Sequence, residues 1–206
     1  MKREPLWSGL ALVSALNARV GGALPRDANG VSIDTRTLQP GDLFFAIKGE
    51  SRDGHDFVRA ALAKGAAAAV IDEGHAKEFS GAGPLFIVKD VQLALESLGR
   101  RARERSGALI AAITGSVGKT STKDMTRLML SHFGEAHASV ASYNNQWGVP
   151  LTLSRLHAGA NYGVFELGMN HAGEIAALVK QVRPHVAVVT RVAPVHLEHF
   201  ASVEAI

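Results

Sequence analysis

The sequence predicts an α/β protein built from a small N-terminal α/β domain followed by a glycine-loop domain with a mostly parallel sheet. Three observations lead there. Short apolar runs of strand length alternate with stretches whose apolar residues recur at helical spacing. The run ALIAAI at 108–113 passes through a glycine-punctuated turn at 114–119 into a helical pattern carried by Met125, Leu128 and Met129, with His132 or Phe133 next in register. The composition, 47% hydrophobic and 20% charged over 206 residues, suits one large or two small buried cores.

Composition also excludes several classes. There are no cysteines, which removes disulfides, thiolate catalysis and cysteine-ligated zinc and permits a reducing compartment. The formal charge of +3 is scattered. Its tightest group, Arg100, Arg101, Arg103 and Arg105, lies along one expected helix without interleaved aromatics, so it reads as a solvated face and not a nucleic-acid site. Lys2 and Arg3 precede an apolar stretch at 6–16, but Ser8 and Ser14 interrupt it. It is too short to span a bilayer and makes a poor signal peptide, so the expectation is a cytoplasmic protein without membrane insertion.

In chain order, Leu6, Leu10, Val13 and Leu16 fall on one stripe that predicts a packing helix, stopped by Gly21-Gly22. Val31 and Ile33 alternate with polar neighbours, Pro40-Gly41 marks a turn, and 42–48 reads as a strand ending at Gly49. Phe57, Val58, Ala61 and Leu62 predict a helix closed by Gly65, with strands to follow at 66–71 and 85–88. The glycine- and alanine-rich stretch 74–84 reads as a surface connection. Val91, Leu95, Leu98 and Ala102 predict a helix over 91–105, which places the domain boundary near Lys89-Asp90 and the domains at 1–88 and 89–206.

Past the helix that follows the glycine turn, Gly134 is a stop and 136–140 a short strand. A polar loop at 142–148 bears Asn144 and Asn145, and Val149-Pro150 opens a short helix with proline in a tolerated first-turn position. The run 162–167 is a buried strand with Glu166 near its C-terminal end, 173–182 a helix and 185–190 a strand leading to the loop RVAPVHLEHF. Such alternation puts ligands outside the carboxyl ends of parallel strands.

The chemistry concentrates at 114–121. In a strand, glycine loop and helix, main-chain N–H groups and the helix start favour an anion, Lys119 adds a full charge and Thr120 offers a hydroxyl to a metal. The common phosphate-loop pattern would want glycine at Ile113; here the glycines are Gly115 and Gly118, and the structural context carries the assignment. The expected guest is a nucleoside triphosphate with magnesium. A hard cation wants oxygen donors, so Glu166 is the expected carboxylate ligand beside Thr120, while His196 is a weaker candidate because histidine seldom binds magnesium. The turn Asp53-Gly54-His55-Asp56 lacks the later ligands of a calcium loop, and Asp34 with Arg36 reads as a local ion pair.

These residues resemble the Mur ligase family. TGSVGKTSTKDM, NNQWGVPLT, FELGMNHAGEI and APVHLEHFASVEAI look like its central domain in the right order, and SIDTRTLQPGDLFFAIKGE looks like its UDP-binding domain. The resemblance implies ATP-dependent amide formation in peptidoglycan synthesis, most similar to members that join D-alanyl-D-alanine to a UDP-N-acetylmuramoyl-tripeptide through an acyl phosphate. By motif match, Thr114, Gly115, Ser116, Val117, Gly118, Lys119, Thr120 and Ser121 would bind ATP. Thr120 and Glu166 would hold one Mg2+, and Glu166 with His196 a second. Asn145 and Asn170 would face the substrate, and Thr35, Arg36, Gly49, Glu50 and Ser51 would line the UDP site.

Val117, Arg191 and Ala201 depart from common family residues, and the chain stops at Ile206 where family members continue through a metal-supporting lysine and a C-terminal domain. The expectation is therefore an N-terminal portion, inactive alone, of a monomeric enzyme. Two alternatives stand beside it: a different carboxylate-amine ligase, such as one adding the third peptide residue, and a noncatalytic nucleotide or UDP-sugar binding module.

Overall fold

Five strands form the sheet of the N-terminal unit, Met1–Leu98, in the computed structural model, which describes residues 4–23 and 26–194. Its elements are α1 (Gly9–Leu16), β1 (Arg19–Gly21), β2 (Gly30–Ser32), β3 (Asp42–Phe45), a short 3-10 turn at Gly54–Phe57, α2 (Val58–Ala63), β4 (Ala68–Asp72) and β5 (Leu85–Val88). The order across the sheet is β1-β5-β4-β3-β2, parallel throughout except for β1. β5 is buried along its whole length and β4 up to its last residue, as continuous apolar runs in a parallel sheet should be. Leu85, Ile87, Ala69 and Ile71 meet Phe44, Val58, Ala61 and Phe79 in one core cluster. Each fully buried large side chain there contributes about 1.5–3 kcal/mol.

Three expectations for this unit need correction. The buried face of α1 is Leu12, Ala15 and Leu16, whereas Leu10 is 86% exposed. The helix begins only at Gly9, after Ser8 accepts the Ala11 N–H on its hydroxyl, so Leu6 is buried from outside the helix and does not set its register. Gly21 belongs to strand β1, paired with Leu85, and does not terminate the pattern. The strand expected at 42–48 ends at Phe45, because the Ile47 N–H turns back to Phe45 O and Ile47 O accepts the Gly54 N–H.

The second unit, Gly99–Ile206, follows without a linker, because α3 (Val91–Arg105) is one continuous helix. Before the division Ser97 Oγ donates to Ala15 O; after it Arg103 donates to Val182 O and Arg183 O. The two compact units meet in sequence at Leu98–Gly99, inside this helix. The remaining elements are β6 (Leu109–Thr114), α4 (Lys119–Leu130), β7 (Ala136–Ala138), α5 (Gly148–Ser154), β8 (Tyr162–Glu166), α6 (Glu174–Val182) and β9 (Val186–Val189). They form a four-stranded sheet of order β7-β8-β6-β9, parallel throughout.

Helix α4 differs from expectation in which face it buries. Met125, Leu128, Met129 and Phe133 keep helical spacing but are exposed, and the buried side chain of the helix is Lys123. The strand β9, at the edge of the sheet, is exposed at all four positions.

Candidate functional site

In the sheet of the second unit Ile113 of β6 lies opposite Glu166 of β8, so two neighbouring parallel strands deliver their C-terminal ends to one place. After Thr114 the chain turns through Gly115 at φ 130° and Gly118 at φ 85°, and α4 begins at Lys119. Both angles favour glycine, and at Gly115 a Cβ would stand 2.3 Å from Thr190 Oγ1. The turn therefore depends on glycine twice, once for its backbone and once for space.

Lys119 Nζ donates to Gly115 O at 2.6 Å and to Ser116 O at 3.3 Å, which holds the ammonium over the turn. One residue on, Thr120 Oγ1 donates to Glu166 Oε2 at 2.9 Å. Glu166 is 1% exposed, and its second oxygen, Oε1, accepts from Asn144 Nδ2 at 2.8 Å. A carboxylate buried this deeply persists because both oxygens are hydrogen-bonded. The hydroxyl and carboxylate beside Lys119 are all-oxygen donors, the chemistry that a hard divalent cation prefers, so the residues present fit magnesium. An amide-lined turn with a lysine at a helix start suits a phosphate.

The turn is also tied to the segment after β9. Thr190 Oγ1 lies 2.7 Å from Val117 O and 3.1 Å from Thr114 O. The Ser116 N–H donates to Arg191 O at 2.6 Å, and Ser116 Oγ accepts the Ala193 N–H at 3.0 Å while lying 3.1 Å from Ala193 O. The main-chain N–H and the hydroxyl of Ser116 are thus engaged within the protein, whereas the Val117 side chain is exposed at the tip of the turn.

The other expected residues divide. Asn145 Oδ1 accepts the N–H groups of Trp147 and Gly148 and so caps the start of α5. Asn170 is exposed, and its N–H donates to Glu174 Oε2 at 2.7 Å. That bond, with those from His171, holds the Glu174 carboxyl below its usual range. His196 lies outside the described residues, as does Ala201. The sequence marks Asn144 and Asn145 as a pair and gives a site role to Asn145 alone, yet Asn144 is the one that touches Glu166; in a loop, nothing in the spacing distinguishes the two.

In the N-terminal unit the expected UDP residues follow the C-terminal ends of β2 and β3. Asp34 accepts the Arg36 main-chain N–H at 2.8 Å and its guanidinium at 2.6 Å, so the expected ion pair is present, in a turn. The guanidinium hydrogen bond holds the Asp34 carboxyl below its usual range. Lys64 Nζ donates to Thr35 O at 2.9 Å, and the Gly49 N–H donates to Arg52 O at 2.9 Å.

The turn Asp53-Gly54-His55-Asp56 has a partner the sequence did not place beside it. His75 stacks on His55 with ring centroids 3.8 Å apart. His55 Nε2 accepts the Asp72 N–H at 3.2 Å, so Nδ1 carries the proton and donates to Asp53 Oδ1 at 2.6 Å. Asp53, His55 and His75 are near enough to share a cation, but both nitrogens of His55 are already committed. Hydrogen bonds to Asp53 and Asp72 hold the two stacked rings in place.

The family described as "Mur ligase family, catalytic domain" matches residues 27–103, and the one described as "Mur ligase middle domain" matches residues 113–206. The UDP-N-acetylmuramoyl-tripeptide--D-alanyl-D-alanine ligase of Escherichia coli strain K12 is 43% identical over 196 residues, covering 95% of this chain and 42% of that protein. The Rickettsia prowazekii protein of the same name is 36% identical over 201 residues, covering 98% of this chain and 44% of that one. Among solved structures, MurF from Acinetobacter baumannii superposes with a TM-score of 0.85 at 34% identity, covering all of this chain and 45% of its own. The Thermotoga maritima MurF ligase in complex with ADP gives 0.68 at 29% identity, covering 85% of this chain and 40% of its own. This chain thus spans less than half the length of the relatives it matches.

Proposed function

The chain belongs to the Mur ligase family, and from that premise we propose that the protein carrying it is an ATP-dependent acid–amino-acid ligase joining D-alanyl-D-alanine to UDP-N-acetylmuramoyl-tripeptide in peptidoglycan synthesis. The observation that carries the reading is the 2.9 Å contact of Thr120 with the buried Glu166, beside Lys119 at the start of α4. The names of the relatives and the ADP found in one of them support it.

A carboxylate is a poor electrophile and repels a triphosphate. The γ-phosphoryl group passes to the terminal carboxylate of the tripeptide, releasing ADP; the dipeptide amine then attacks the acyl carbon, loses a proton and expels phosphate. In this reading the main-chain amides of the 114–121 turn other than that of Ser116, whose N–H donates to Arg191 O, hold the phosphates, Lys119 offsets charge on the transferring group, and Thr120 with Glu166 would hold magnesium. Magnesium supplies further charge neutralisation when bound. His196 joins Glu166 at a second metal, Asn145 and Asn170 face the substrate, and Thr35, Arg36, Gly49, Glu50 and Ser51 take the UDP moiety in the domain at 1–88. Among the described residues no helix is long and apolar enough to cross a membrane. The reading places the complete protein in the cytoplasm as a monomer.

The test is phosphate release from ATP by the intact protein with the UDP-linked tripeptide and the dipeptide omitted in turn. Release should require both, and Lys119→Ala should reduce it at least about a hundredfold. Release without the dipeptide, or a Lys119→Ala rate within about twofold of the parent, would sink the assignment.

A further inference from the structure

We propose that Lys123 is a positioning residue for the Glu166 carboxylate, acting through the turn that carries Asn144; this rests on the reading of Thr120 and Glu166 as metal ligands. Lys123 lies one helical turn beyond Lys119 in α4 and is 1% exposed. Its ammonium donates to Ser139 O at 3.0 Å and Ala141 O at 2.7 Å, with Asp124 Oδ1 at 3.3 Å. An ammonium is costly to desolvate and is seldom fully buried. A methionine would fill similar space without that cost, so the retained charge points to what it holds.

It holds a bent segment of main chain. The two carbonyls flank Val140, and Ala141 has φ 50°, a left-handed value uncommon for any residue with a side chain. Three residues later Asn144 donates to Glu166 Oε1 at 2.8 Å. Asn144 is seated closely: its own carbonyl accepts the Gly168 N–H at 2.8 Å, and a Cβ at residue 168 would stand 2.7 Å from Asn144 Cγ.

Helix α4 therefore reaches one carboxylate by two routes. Thr120 meets Oε2 directly, and Lys123 meets Oε1 through the 139–141 turn and Asn144. Holding both oxygens sets the plane of the carboxylate, and with it the direction of the lone pairs left for a cation. A lysine that only tethers a loop would have no reason to act through Asn144.

The experiment measures ADP affinity by calorimetry, with and without Mg2+, on the intact protein, well below the unfolding temperature of every variant. The variants are Lys123→Met, Lys123→Arg, Asn144→Ala and the double change Lys123→Met with Asn144→Ala. Lys123→Met and Asn144→Ala should each weaken the Mg2+-dependent part of binding about fivefold to tenfold and leave Mg2+-free binding within about twofold. The double change should be no weaker than Asn144→Ala alone, and Lys123→Arg should restore most of the loss. If Lys123→Met does not fold, Lys123→Gln takes its place in the same cycle. Multiplying losses, or a fall in unfolding temperature with unchanged Mg2+ dependence, would overturn the role of Lys123. Unchanged Mg2+ dependence in both Asn144→Ala and Glu166→Gln would overturn the metal-site reading itself, and the inference with it.

Discussion

Glu166 accepts at both carboxylate oxygens, from Thr120 and from Asn144, so an isosteric change there alters charge more than shape. In Glu166→Gln the Thr120 hydroxyl can turn to accept from the new amide while Asn144 still donates to its carbonyl, so the contacts can be kept and the negative charge is what is lost. The substitution should therefore change stability by less than about 1 kcal/mol yet weaken Mg2+-dependent ADP binding more than about tenfold, read by thermal unfolding and calorimetry. Thr120→Ser, which keeps the hydroxyl, should retain most of the binding that Thr120→Ala loses. At His75 the expectation concerns pH. Its hydrogen bond to Asp72 raises the imidazole above the ordinary value of about 6.5. The stability it contributes is therefore fully present below that value and is lost as pH rises through the higher folded-state value. The pair is about one-third exposed, so the effect is small. The difference in unfolding temperature between the parent and His75→Gln should be greatest at mildly acid pH and shrink toward pH ~8. A difference that grows with pH would contradict the Asp72 pairing.

At the scale of elements, the turn between β6 and α4 is held from two sides. Its glycines let the backbone reverse, and Thr190 and the Arg191 and Ala193 main chain bind it from after β9. Gly115→Ala would drive a methyl into Thr190 Oγ1, so it should abolish measurable ADP binding while the far-UV spectrum keeps its α/β character. Retained affinity would mean that Thr190 yields and the tie is loose. Helix α4 shows what a hydrophobic period can and cannot convey. The spacing of Met125, Leu128 and Met129 marks a helix, yet those three are exposed and the buried side chain is that of Lys123. Spacing gives a helix its period and not the direction in which its stripe points, and here a buried lysine has its charge met by Ser139 and Ala141 carbonyls far away in sequence.

For the whole molecule, the two units carry different parts of the proposed chemistry, and the chain spans less than half the length of its relatives. The 206-residue chain by itself should bind ADP in a Mg2+-dependent way and release no phosphate when supplied with ATP and both substrates. Efficient ligation by these residues alone would show that nothing further is required. Among the described residues the apolar side chains of α4 and the edge strand β9 are exposed, so the isolated chain should also associate at high concentration, as light scattering would report.

Read alone, the sequence determined the elements and their alternation, because apolar period and glycine placement are local properties: the strand at 108–113, the turn at Gly115 and Gly118, and the acid at the end of the 162–167 run are all legible in it. It also set Glu166 at the carboxyl end of a strand as the expected companion of Thr120, while the fold supplied the pairing of β6 with β8 that brings the two within 2.9 Å. Tertiary structure alone decided which of two adjacent asparagines meets that acid, that Leu10 and Met125 face outward, that His75 stacks on His55, and that a buried lysine grips a distant turn. Each of those is a question of direction about an axis or of contact across many residues. A one-dimensional pattern carries spacing, and only the folded chain supplies orientation.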